Sequence, residues 1–149
     1  MTELKDLTLK PPRSPRNRLH GYVILARTID KCLAAQSGTA GDYHFDCPLD
    51  KQLFTFKGIS AEDFNNAVKF AQSDEDIAVW VDQNGIAKTP AEIQAWSEAV
   101  ENYYPYQDPE QREWFEGECR ILNLDPQKTS LFDYLEADDA ILGNQALDH

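Results

Sequence analysis

The segment Thr89-Pro-Ala-Glu-Ile-Gln-Ala-Trp-Ser-Glu-Ala-Val-Glu-Asn-Tyr103 is the one from which the fold class can be read. A threonine whose hydroxyl can take a free amide of the first turn is followed by proline at the first helical position and glutamate three residues on, the pattern of a reciprocal N-terminal cap. Ile93, Trp96, Val100 and Tyr103 then recur every three or four residues, so they share one face of a helix.

The same grammar repeats on both sides. Ser60-Ala-Glu-Asp63 precedes Phe64, Ala67, Val68 and Ala71, and Ser73-Asp-Glu-Asp76 precedes Ile77, Trp80 and Val81, with Gly85 as the stop. Asp108-Pro-Glu-Gln111 predicts another start, with Trp114, Phe115, Cys119 and Leu122 inward; Ser130 is placed to cap a last helix through Leu131, Tyr134 and Leu135. Upstream, Leu49, Leu53 and Phe56 follow Pro48 and end at Gly58, which favours a helix although Phe54-Thr-Phe56 leaves a strand open. Tyr22, Leu25, Ile29, Cys32 and Leu33 predict an amphipathic helix from about Tyr22 to Gln36, with Arg27 and Lys31 on its other faces. Ser37-Gly-Thr-Ala-Gly41 breaks it, and Tyr43, Phe45 and Cys47 alternate as a short strand or extended loop would.

These elements amount to an all-α single domain, residues 1–149, of six or seven short helices with at most one small strand pair. Residues 1–18 read as an extended arm, because Pro11, Pro12 and Pro15 remove amide donors and fix φ. Residues 19–142 form the helical body and 143–149 a frayed tail.

Charge is distributed unequally along this plan. Of 14 Lys and Arg and 26 Asp and Glu, residues 1–31 hold seven cations against three acids, or +4, and the remainder seven against 23, or −16. Much of that acidity belongs to first turns, where carboxylates complement the helix dipole. An acidic body repels phosphate, which argues against nucleic acid as a partner. No run approaches the roughly 20 apolar residues of a bilayer span, and the N-terminus lacks a secretory pattern, so a cytoplasmic protein is the expectation. Three widely spaced cysteines do not make a disulfide framework; Cys32 and Cys119 read as core.

The pieces Pro11-Pro-Arg-Ser-Pro-Arg16, His20-Gly21-Tyr22, Leu25-Ala-Arg27, Asp30-Lys31, Gly41-Asp-Tyr-His44, Leu49-Asp50 and Phe56-Lys-Gly-Ile59 occur in an order that resembles a family of small bacterial proteins known as domain of unknown function 5069. The likeness continues through Trp80, Trp96-Ser97 and Phe132 to Leu135. The resemblance implies a small soluble bacterial protein and supplies no catalytic residue and no cofactor.

Candidate site residues concentrate between 13 and 50. Arg13, Arg16, Arg27 and Lys31, with His20, Tyr43 and His44, are the ligand-binding candidates, since guanidinium forks suit carboxylate or phosphate. The competing reading has the arginines clamping the arm to the protein's own acidic helices, and Arg27, Asp30 and Lys31 lying on a solvated face with local charge pairs. His44, Asp46 and Cys47 are the catalytic candidates, Cys47 as nucleophile and His44 or His20 as base. Their spacing matches no closed zinc site, so neither a metal nor another cofactor is expected. Trp80, Trp96 and Trp114 read as core or dimer contact, and Tyr103-Tyr-Pro-Tyr106 as a partly exposed aromatic cluster. The favoured function is a noncatalytic binding or interaction module with a basic site for a small anionic ligand or an acidic protein partner; the alternative is a small enzyme acting on an anionic substrate. A homodimer is a further expectation.

Overall fold

The predicted Ser and Thr caps are made. In the computed structural model, which describes residues 5–147, Thr89 Oγ1 accepts from the Glu92 amide at 3.1 Å while Glu92 Oε1 accepts from the Thr89 amide at 2.9 Å, opening a helix over Pro90–Glu101. Ser60 and Ser73 cap Ala61–Phe70 and Asp74–Gln83 through the hydroxyl alone, which accepts from the amides of Asp63 and Asp76. Ser130 and Asp133 close a reciprocal cap on Leu131–Leu147. In chain order the helices are α1 (Leu25–Ser37), α2 (Pro48–Lys57), α3 (Ala61–Phe70), α4 (Asp74–Gln83), α5 (Pro90–Glu101), α6 (Arg112–Ile121) and α7 (Leu131–Leu147), with a single 3₁₀ turn at Pro105–Gln107. The fold is all-α. Among the described residues the β pairing is one isolated bridge, Leu19 with Tyr22.

α1 is the axis of the domain. Every residue from Leu25 to Ala34 is buried, because α2, α3, α4, α5 and the arm surround it. Its apolar side, with Tyr22 before it, packs on Leu53 and Phe54 of α2, Phe64 and Val68 of α3, and Ile77 and Val81 of α4. A second cluster joins Val23 and Ile24 to Leu49, Val100 and Phe132, and a third sets Phe115 and Cys119 of α6 against Tyr134 of α7. Fully burying one such side chain is worth about 1.5–3 kcal/mol.

Four expectations are corrected. The face of α1 carrying Arg27, Asp30 and Lys31 is not solvated: the three are 3%, 2% and 3% exposed. Of the two readings left open for residues 42–47, the structure has the loop. Asp108 does not begin a helix, since its carboxylate takes the Tyr103 hydroxyl and the Glu110 amide and its carbonyl closes a turn onto Gln111; α6 starts at Arg112. Trp114 is 47% exposed rather than core, while Trp80 and Trp96 are partly buried. α7 runs through Leu147 and so takes in most of the segment assigned to a tail; residues 148 and 149 lie outside the described residues.

The arm is held by its arginines. Arg13 reaches Asp30 on α1 at 3.0 Å and Asp74 on α4 at 2.7 Å; Arg16 pairs with Glu136 at 2.9 Å and with Asp133, both on α7; Arg18 meets Glu101 of α5 at 3.0 Å. Leu7, ahead of them, is buried and bonds through its amide to the Thr39 carbonyl at 2.8 Å. The Pro-stiffened segment is therefore tied to four helices, α1, α4, α5 and α7, as a strap.

Candidate functional site

Where the strap, the loop after α1 and the outer turns of α7 meet, they leave a cleft of about 620 Å³. Its floor comes from Arg27 and Lys31 of α1, Tyr43 and His44 of the loop, and Cys47 at the head of α2. Leu49, Leu135, Ile141 and Leu142 supply an apolar wall, Leu7 and Thr8 of the arm a rim, and Asp138 a carboxyl on the α7 side. The loop is drawn against the arm at Gly41, where a φ of +59° and the Leu7 carbonyl, 3.1 Å from where a Cβ would lie, both favour glycine.

Asp50 organises the polar floor. Its side chain is fully buried; Oδ1 accepts from Thr28 Oγ1 at 2.7 Å, and Oδ2 accepts from the amides of Asp46 at 2.9 Å and Cys47 at 3.3 Å and from Lys31 Nζ at 2.9 Å. The same ammonium lies 3.0 Å from Cys47 Sγ. A helix N-terminus, a buried cation and a thiol are thereby fixed together, since a carboxylate so fully donated to cannot turn without losing several bonds at once.

Next to this network, Arg27 spans from α1 to α7, with Nη1 2.7 Å from Asp139 Oδ2 and Nη2 3.1 Å from Oδ1. Tyr43 donates its hydroxyl to Asp139 at 2.9 Å, and the guanidinium lies over the Tyr43 ring, 5.6 Å from its centroid. Burial and then Asp139 push the Tyr43 phenol upward, so it stays a donor. Asp138 is raised above the ordinary carboxyl range by burial first and by Asp139 and Glu118 next.

A family model described as a domain of unknown function (DUF5069) matches residues 9–141. The chain belongs to this family. No curated protein matches it. The DUF5069 match runs from the arm to Ile141 and so includes all of the cleft residues except Leu7, Thr8 and Leu142.

Of the residues singled out from the sequence of this DUF5069 protein, Arg27, Lys31, Tyr43, His44 and Cys47 line one cleft. Arg13 and Arg16 do not; their forks are taken up by the strap contacts. His20 stands elsewhere, with Nδ1 2.7 Å from Asp82 and Nε2 2.8 Å from Glu75. Asp46, at φ +63°, faces away to Lys51 at 2.7 Å, and no hydrogen bond among the described residues joins His44 or Asp46 to Cys47. Among the described residues no group of His, Cys, Asp and Glu is arranged to hold a metal ion, and no helix is long and apolar enough to cross a membrane.

Sequence reasoning passed over Thr28, Asp50, Asp138 and Asp139. Asp50 carried one available signal, a carboxylate at the third position of a proline-started helix, where it caps preceding amides. The aspartates of α7 carried none, for nothing local ties residue 139 to residue 27.

Proposed function

We propose that the cleft binds a small ligand that has one anionic head and an apolar body, and that the protein acts as a noncatalytic binding module. The observation that carries this reading is Lys31: it lines the cleft, is 3% exposed, and among the described residues spends two of its three N–H donors, on Asp50 and Cys47. A buried ammonium with a donor to spare favours an oxygen ligand. Asp50 and Asp139 already offset the charges of Lys31 and Arg27, so a monoanion such as a carboxylate suits the floor better than a phosphate dianion. Leu49, Leu135, Ile141 and Leu142 suit an alkyl or similar body. Catalysis through His44, Asp46 and Cys47 has less support, because the three are not joined.

Titration calorimetry with acetate, butyrate, hexanoate and inorganic phosphate tests the reading. Affinity is expected to rise from acetate to hexanoate by roughly three- to fourfold per buried methylene, corresponding to about 0.8 kcal/mol each, and phosphate is expected to bind more weakly than hexanoate. Ile141→Glu, a change at the cleft mouth, should abolish the chain-length effect. No binding by any carboxylate, or an unchanged series in the Ile141 variant, would overturn it.

A further inference from the structure

We infer that Cys47 is a site of oxidation by hydroperoxides, with Lys31 as its positioning partner. The three cysteines differ in access. Cys32 and Cys119 are sealed, at 0% exposure, and burial pushes the Cys32 thiol up to about 12 and raises that of Cys119 as well. Cys47 is partly exposed and is the cysteine that lines the cleft.

Chemistry follows from what surrounds the sulfur. The reactive form of a cysteine is its thiolate, and cations and helix N-termini favour negative charge on it. Cys47 stands immediately before Pro48, at the head of the ten-residue α2, with the buried Lys31 ammonium 3.0 Å from Sγ. Asp50 holds that ammonium in place at 2.9 Å, so the donor is oriented before any oxidant arrives. Among the described residues Lys31 also has an N–H left over, which can meet an oxygen of a peroxide entering the cleft.

The sulfur lone pair forms a bond to one peroxide oxygen as the O–O bond breaks. Lys31 gives a proton to the departing oxygen and is reset by the proton of the thiol. Thiol and hydroperoxide thus become sulfenic acid and alcohol, or water where hydrogen peroxide is used; the sulfur loses two electrons and the peroxide gains them. No second cysteine lines the cleft, so the sulfenic acid is not consumed by an internal disulfide.

The test exposes the folded, full-length protein to hydrogen peroxide with dimedone, a reagent that captures sulfenic acids, and locates the adduct by peptide mass spectrometry. Label is expected at Cys47 and absent from Cys32 and Cys119, and it should vanish in Cys47→Ser. Lys31→Met should slow labelling by about tenfold, equivalent to about 1.4 kcal/mol, through loss of the positioned N–H donor, while Lys31→Arg should retain most of the rate. Should Lys31→Met fail to fold, the Arg variant and the comparison among the three cysteines still decide. Equal labelling of all three, no label at Cys47, or a rate unchanged in a folded Lys31→Met variant would overturn the assignment. None of these readouts depends on the ligand proposed for the cleft.

Discussion

Arg27 and Asp139 form a two-pronged ion pair, 2.7 and 3.1 Å, between helices whose paired residues are 112 positions apart in the chain. The Arg27 and Asp139 side chains are 4% and 9% exposed, so each charge has left water and depends on the other. Removing one partner strands a buried charge, which costs about 3–5 kcal/mol. Arg27→Met is therefore expected to lower the unfolding free energy by that amount in urea titrations. Arg27→Met combined with Asp139→Leu should recover most of the loss, since an apolar pair of similar volume removes both desolvation costs.

Arg13 and Arg16 look alike in sequence and differ in what they hold. Arg13 serves Asp30, whose side chain is 2% exposed, and Arg13→Ala should cost about 1–3 kcal/mol for the buried acceptor left short of donors. Arg16 pairs with Asp133 and Glu136, all three more than a third exposed, so Arg16→Ala should cost less than about 1 kcal/mol. Chemical denaturation of the two single variants without any ligand separates them, and equal losses would count against the strap.

His20 makes the stability depend on pH. Hydrogen bonds with Asp82 and then Glu75 raise its pKa above the ordinary 6.5, through stabilisation of the imidazolium. A group raised in the folded state contributes in full below its unfolded pKa and loses the contribution as pH climbs through the folded value. The stability gap between the parent and His20→Gln should accordingly be wider at about pH 5 than at about pH 9. NMR titration of His20 should give a midpoint above 6.5.

Gly85 and Gly38 share positive φ, at +71° and +72°, but not surroundings. A Cβ on Gly38 meets nothing within 4 Å, so Gly38→Ala should cost only the left-handed backbone penalty, about 1–2 kcal/mol. At Gly85 that carbon would lie 2.0 Å from the Lys57 carbonyl, which also accepts from the Ile86 amide at 2.6 Å. Gly85→Ala should cost several times as much, read by the same denaturation experiment.

Most helix boundaries were legible because their causes are local. A Ser or Thr hydroxyl reaches an amide three residues away, and Gly58 ends α2 with its own left-handed φ of 67°. Where a local signal had a second use, the reading went astray: Asp108 spends its carboxylate on Tyr103 and its own turn, which displaces the start of α6 to Arg112. In the site, the residue types of the floor were visible as a cluster between 27 and 47, and their burial was not. Periodicity identifies one apolar face of α1; it cannot tell that the opposite face is also enclosed, because the enclosing groups are the arm and α7.

Sequence by itself thus determined an all-α chain, its caps, and which residues could bear chemistry, all of which rest on interactions within a few residues. Tertiary structure decided which of the 26 carboxylates pair with the arginines of the arm and the cations of α1. Attraction between opposite charges is the same for any such pair, so composition leaves the pairings open. Packing selects among them: burial of α1 brings Lys31 to Asp50 and Cys47 and Arg27 to Asp139, while Arg13 and Arg16 go to the strap and leave the cleft floor to others.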